Sequence, residues 1–290
     1  MRARAVARAA SSILNEGKPY HILIALRLSI TTDMFNYSFR PGFERKFRLL
    51  KETGFDYIHW CDNWNDDKLY SRDEMHRLST FIENAGLKCL DVHGTATKRI
   101  VIDTFDDEEH RKYIRLLENR IEFYHLVGGD AVVIHPPRYH TSDLERRFSR
   151  SLEVIEAVKG LCQDLGVTLA VENCHRDDHL LLERYFTLYE PELVSFCYDS
   201  GHANIHDNLD DLLQYRDIVT VTHLHDNKGK KDDHQPPGFG TVDWERVIGW
   251  LDGLGKPLNF EVTHNPLLFL GSMKGFLKRT WESIESLKVV

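Results

Sequence analysis

The stretch TLAVENCHRDDH, residues 168–179, opens on a short apolar, β-branched run and ends on a carboxylate, an amide and a crowd of charged groups. Seven other runs share its opening character: HILIALRLSI (21–30), FDYIHW (55–60), LKCLDVHG (87–94), AVVIHP (131–136), VSFCYD (194–199), VTVTHLHD (219–226) and LNFEVT (258–263). Runs this apolar, without strict alternation, suit parallel strands covered on both faces. Glycines that stop helices precede several of them, at Gly54, Gly86, Gly128-Gly129 and Gly166. Amphipathic stretches at 107–127, 143–165, 243–254 and 269–287 lie between or after the strands. Strand and helix in alternation make a parallel α/β sheet. Eight repeats, with no glycine fingerprint of an open dinucleotide-binding sheet, predict a single (β/α)8 TIM barrel over residues 21–290.

Residues 1–20 stand apart. MRARAVARAASSILNEGK is basic and acid-poor, with Glu16 as its first acid, and it lacks the apolar core of a secretory signal. It is expected to be an extension, disordered or a surface helix, that the barrel does not need. The chain has 290 residues, 42% of them hydrophobic and 28% charged, a composition that suits a soluble domain with a large core. No run reaches the roughly 20 apolar residues of a membrane span. A formal charge of −8 argues against a main task of gripping nucleic acid, which Lys and Arg drive. Five scattered cysteines without a CxxC pair are expected to be reduced thiols of a cytoplasmic protein.

The chemistry gathers where strands end. The third run ends near His93, the fourth at His135, the fifth at Glu172 and Asn173, and the sixth at Asp199 with His202 three residues on. The seventh carries His223, His225 and Asp226, and the eighth carries Glu261. Successive strand ends of a barrel converge on one mouth, so these groups are expected to meet. Imidazole and carboxylate are ligands for a divalent ion, zinc or manganese before magnesium or cobalt. An ordinary polar rim would mix in Ser, Thr, Asn and Lys instead. After the seventh run, HLHDNKGKKDDHQPPGFGTVDW (223–244) adds the ligand-type pair Asp232 and His234, and three lysines, Lys228, Lys230 and Lys231. Those lysines are either a phosphate grip, since barrels often bind phosphate around loops seven and eight, or a solvated charge run.

Taken together, His93, His135, Glu172, Asp199-x-x-His202, His223-Leu-x-Asp226, Asp232-x-His234, the PGFG turn and Glu261 resemble the xylose isomerase-like barrel superfamily over about residues 21–285. That group includes sugar phosphate isomerases/epimerases and the endonuclease IV enzymes. The resemblance to the isomerase/epimerase branch implies one metal on Glu172, Asp199, His223 and Glu261. The resemblance to endonuclease IV implies up to three zinc ions. The first would sit on His93, His135 and Glu172, the second on Glu172, Asp199, His223 and Glu261, and the third on His202, Asp232 and His234. VENCHRDDH and HLHDN depart from the endonuclease pattern, which has a glycine-containing segment after the strand-five Glu and HLND on strand seven.

Two activities follow from the resemblance. The favoured one is a metal-dependent isomerase or epimerase of a small sugar, sugar phosphate or related polyhydroxy carbonyl compound. It would work through a metal-stabilised enediolate, with Glu172 and Glu261 as the catalytic carboxylates. His202 would then contact a substrate oxygen, Trp60 and Trp64 would shape the pocket, and Lys228 would hold a phosphate. The alternative is a multi-zinc phosphoesterase of endonuclease IV type. A metal-dependent binding protein on a degenerate barrel would not need so full a ligand set. Helical barrel exteriors commonly associate, so a homo-oligomer is compatible with this reading.

Overall fold

The fold comes from a computed structural model, which describes residues 27–35, 42, 44–61, 68–95, 100–138, 142–263 and 272–287. Strand β1 (Leu28–Thr31) pairs in parallel with β2 (Tyr57–Trp60) on one side and β8 (Leu258–Phe260) on the other. β3 (Lys88–His93), β4 (Ala131–Ile134), β5 (Leu169–Glu172), β6 (Val194–Asp199) and β7 (Val219–His223) follow in chain order, all parallel. The ring closes between β7 and β8 through a parallel bridge of Leu224 with Phe260. There Leu224 N–H donates to Asn259 O and Glu261 N–H donates to Leu224 O, each at 2.9 Å. This is the expected (β/α)8 barrel. Of the first apolar run, residues 21–26 lie outside the described residues, as do the 1–20 extension and Trp64.

Helices α1 (Glu44–Thr53), α2 (Arg72–Asn84), α3 (Asp107–Val127), α4 (Leu144–Leu165) and α5 (Asp178–Leu188) follow the first five strands in turn. After β6 come α6 (Ser200–His206), α7 (Leu209–Leu212) and a 3-10 turn (Leu213–Ile218). α8 (Trp244–Leu251) and α9 (Met273–Ser286) follow β7 and β8. The boundaries obey local chemistry. Ser71 and Glu74 cap each other at the start of α2, and Asp106 accepts from Glu108 N and Glu109 N ahead of α3. Gly166 ends α4 in the left-handed region at φ 66°, where a side chain would be disfavoured. Among the described residues no helix is long and apolar enough to cross a membrane.

Strand residues divide into two layers by their period of two. Ile58, Trp60, Val92, Val132, Val171 and Phe196 point outward into the main core, against helix residues such as Phe47, Leu117, Phe123 and Val158. Tyr57, Leu90, Ala131, Val133, Ala170, Cys197 and Val221 form a separate apolar plug inside the barrel. Two residues further along the same strands stand His59, Glu172, Asp199 and His223, so the plug carries a polar roof. Two register shifts refine this. Ile58 pairs with Cys89 but His59 pairs with Asp91, so β3 holds one extra residue and turns Asp91 towards His59. A second shift between β6 and β7 sets Asp199 beside His223.

Trp60 corrects the sequence reading. It is 1% exposed, in the outer layer, stacked on Phe47 with centroids 6.3 Å apart and edge-on to Phe123 at 5.3 Å. Its indole N–H donates to the Tyr70 hydroxyl at 3.2 Å. The alternation that turns His59 inward turns Trp60 away from the mouth, so it does not line a pocket there. Trp60→Ala is expected to cost about 3–5 kcal/mol of stability by leaving a cavity, and to leave metal affinity unchanged. Denaturant unfolding beside a metal titration checks this; an intact stability would contradict the packing role.

Candidate metal centre

The polar roof gathers the groups that the strand ends promised. Glu172 Oε2 lies 3.6 Å from His93 Nε2, 3.3 Å from His135 Nε2 and 3.3 Å from His223 Nδ1. Glu261 Oε2 is 2.9 Å from the same His223 Nδ1. Glu172 Oε1 is 3.1 Å from His202 Nδ1, which is 3.5 Å from Asp199 Oδ1. Beyond it, Asp232 Oδ2 is 3.5 Å from His202 Nε2 and 3.0 Å from His234 Nε2. All nine predicted ligands therefore belong to one continuous cluster.

These spacings fit a cation. Ligand atoms about 2.0–2.1 Å from a tetrahedral zinc stand about 3.3–3.4 Å from one another. Glu172 Oε2, Asp199 Oδ2, His202 Nδ1, His223 Nδ1 and Glu261 Oε1 are buried without a hydrogen-bond partner among the described residues. Orphaned buried polar atoms are costly, so a cluster of them aimed at common points fits a missing positive centre. Compatible groups within 4.8 Å include His93/Glu172/His223, Glu172/Asp199/His202, and His225/Asp232/His234.

Tautomers point the same way. His93 Nδ1 lies 2.7 Å from Gly94 O, and His234 Nδ1 lies 2.8 Å from Glu261 O. His223 Nε2 lies 3.2 Å from Asp91 Oδ2. Each imidazole thus has an acceptor for one N–H and turns its other nitrogen towards the carboxylates, as metal-binding histidines do.

The charges agree with an acidic cage stocked with imidazoles. Burial pushes the Glu172 carboxyl up, yet His223, His135 and His202 hold it well below the usual carboxylate range. Glu261 is likewise held down against burial by His223, His234 and His59. Burial opposes the charged form of His234, but Asp232 raises it to about 10.

Other strand-end residues hold the frame. Asn173 bridges β5 and β6, its amide nitrogen donating to Asp199 O at 2.9 Å and its oxygen accepting from Asp199 N at 2.8 Å. Asp199 Oδ1 caps α6 by accepting from His202 N at 2.6 Å, which fixes where that imidazole starts. Asp226 turns away from the cluster and pins the following loop. It accepts from Gly238 N, Val242 N and the Trp244 indole N–H at 2.8, 3.1 and 3.0 Å. His234 sits in the left-handed region at φ 45°, unusual for a residue with a side chain.

Three residues were not assigned from sequence. His59 and Asp91 are fully buried below His223, and their inward direction depends on a register shift that spacing does not reveal. His225 is fully buried, stacked on His234 with centroids 4.1 Å apart, its Nε2 3.2 Å from Asp199 Oδ2 and 3.4 Å from Asp232 Oδ1. A Cβ on Gly201 would fall 1.8 Å from its Cε1, so only glycine admits that ring. The HLHD wording was the available signal. Lys228, Lys230 and Lys231 are exposed on the loop that follows β7.

The family model described as xylose isomerase-like TIM barrel matches residues 47–280. An uncharacterized protein, y4fM of Sinorhizobium fredii, is 26% identical over 251 residues, covering 76% of this chain and 81% of its own. The apo crystal structure of 3-keto-D-glucoside 4-epimerase, YcjR, from E. coli superposes with a TM-score of 0.70 at 17% identity, covering 91% of this chain and 100% of that one. The IOLI protein with a bound zinc atom superposes with a TM-score of 0.67 at 17% identity, covering 91% and 97%. At such identities the structural likeness speaks for the fold.

Proposed function

Because this chain belongs to the xylose isomerase-like TIM barrel family, we propose that it is a divalent-metal-dependent isomerase or epimerase of a small sugar, sugar phosphate or related polyhydroxy carbonyl compound. The observation that carries this reading is the convergence of Glu172, Asp199, His223 and Glu261, from four successive strands, with buried lone pairs lacking partners. These four would hold the ion, zinc or manganese by their mixed donors. When bound, the ion supplies Lewis-acid polarisation of a substrate carbonyl.

The chain's own groups supply the proton chemistry. Glu172 and Glu261 are both held in their ionised forms and can accept a proton from the carbon next to the carbonyl and return it. Glu261 Oε1 is buried and makes no hydrogen bond among the described residues. His202, half-buried at the edge of the cluster, can hold a substrate oxygen. YcjR is a 3-keto-D-glucoside 4-epimerase and the IOLI structure holds a zinc atom, and both favour the same chemistry. With a panel of ketoses and their 3-keto or phosphorylated relatives in deuterated water, the metal-loaded protein is expected to exchange deuterium into a carbon-bound position of one of them. No exchange with any, together with incision of an abasic-site duplex, would replace this reading.

One observation favours a multi-zinc phosphoesterase as the second reading. Asp199, His202, His225, Asp232 and His234 offer room for another ion beside the first. Two or three zinc ions per chain by elemental analysis, with phosphodiester cleavage, would support it.

A further inference from the structure

Beneath the cluster, Asp91 Oδ2 receives two imidazoles at once, His59 Nδ1 at 2.8 Å and His223 Nε2 at 3.2 Å. All three side chains are fully buried, with the His59 and His223 rings 4.5 Å apart. The two faces of His223 differ in kind. Nε2 faces Asp91 with hydrogen-bond geometry, whereas Nδ1 faces the cluster, 2.9 Å from Glu261 and 3.3 Å from Glu172. One side of the ring is shaped for a proton and the other for a shared centre.

A carboxylate can only accept, so both imidazoles must present N–H to Asp91. That requirement keeps a proton on His223 Nε2 and makes Nδ1, which faces the carboxylates, the nitrogen that an ion would take. His59 matters because it holds Asp91. That second donor fixes which way the carboxylate faces. The β3 register shift exists at the residue that makes this alignment possible.

We propose that Asp91, anchored by His59, is a positioning residue that fixes the tautomer and ring orientation of His223 and thereby sets the affinity of the barrel for its divalent ion. The inference rests on the metal reading above and concerns residues that do not themselves touch the ion. Carboxylates in this relation to a ligating histidine are worth about 10- to 100-fold in metal affinity.

The test uses the full-length protein and Zn²⁺ or Co²⁺ alone, with affinity measured by chelator competition and the visible spectrum of the cobalt-loaded protein recorded. Asp91→Asn is expected to weaken binding about 10- to 100-fold and to shift the cobalt bands, since the imidazole loses its carboxylate partner. His59→Gln, whose amide can still donate to Asp91, is expected to keep more affinity than His59→Leu, which cannot. Wild-type affinity and spectrum in folded Asp91→Asn would overturn the proposal. Should that variant fail to fold, equal affinities for the two His59 variants would do the same. A wild-type protein that binds neither ion would overturn the metal reading, and this inference with it.

Discussion

Glu172→Gln is expected to reduce turnover by about a thousandfold or more while leaving the barrel folded. Among the described residues, Glu172 is the one carboxylate within reach of four imidazoles, those of His93, His135, His202 and His223. The amide keeps the shape but loses the charge, so it can neither take up a proton nor serve as an anionic ligand. It also leaves buried imidazoles without their counter-charge, so metal content should fall alongside activity. Isotope exchange, elemental analysis and far-ultraviolet circular dichroism together separate these effects. A variant that retains activity would remove Glu172 from the mechanism.

Raising the pH from 6 to 8 is expected to strengthen metal binding, by up to about tenfold per unit for each proton released. Burial opposes the His223 imidazolium, but the carboxylates of Glu261, Glu172 and Asp91 raise its pKa well above the ordinary histidine value. That upward shift favours a second proton on His223, at the Nδ1 that faces Glu261 and Glu172, and an entering cation must displace it. Fewer free protons at higher pH favour that displacement, so affinity climbs with pH. Titrations at pH 6, 7 and 8 in buffers that do not chelate would measure the slope. A flat profile would mean that the ion does not take the place of that proton.

The sequence made the barrel legible because strand and helix patterns agreed with their punctuation. α3 and α4 begin and end within a residue of the stretches that periodicity marked, with Gly128 and Gly166 at their ends. The candidate ligands were legible because they close strands, and a parallel barrel gathers strand ends whatever the loops do. What was hidden needed direction as well as position. Trp60 and His59 are neighbours, and the choice of which one faces inward follows from the pairing of β2 with β1 and β3. Asp91 lies inside its strand, and an extra residue in β3 turns it towards His59. Asp226, read beside His223 as part of one motif, holds a loop because the bend after β7 turns its carboxylate onto Gly238, Val242 and Trp244. Asn173 showed the same limit, since an amide at a strand end can brace the neighbouring strand as readily as it can contact a ligand.

The join between the last two staves is the thinnest in the ring, a single bridge at Leu224 and Phe260. His223 stands just before Leu224 on one stave and Glu261 just after Phe260 on the other. An ion gripped by both would act as a rivet through that seam, so loading the cofactor and fastening the hoop would be one event. Catalytic readiness and mechanical integrity would then share a single bolt, and the emptied protein should loosen there first.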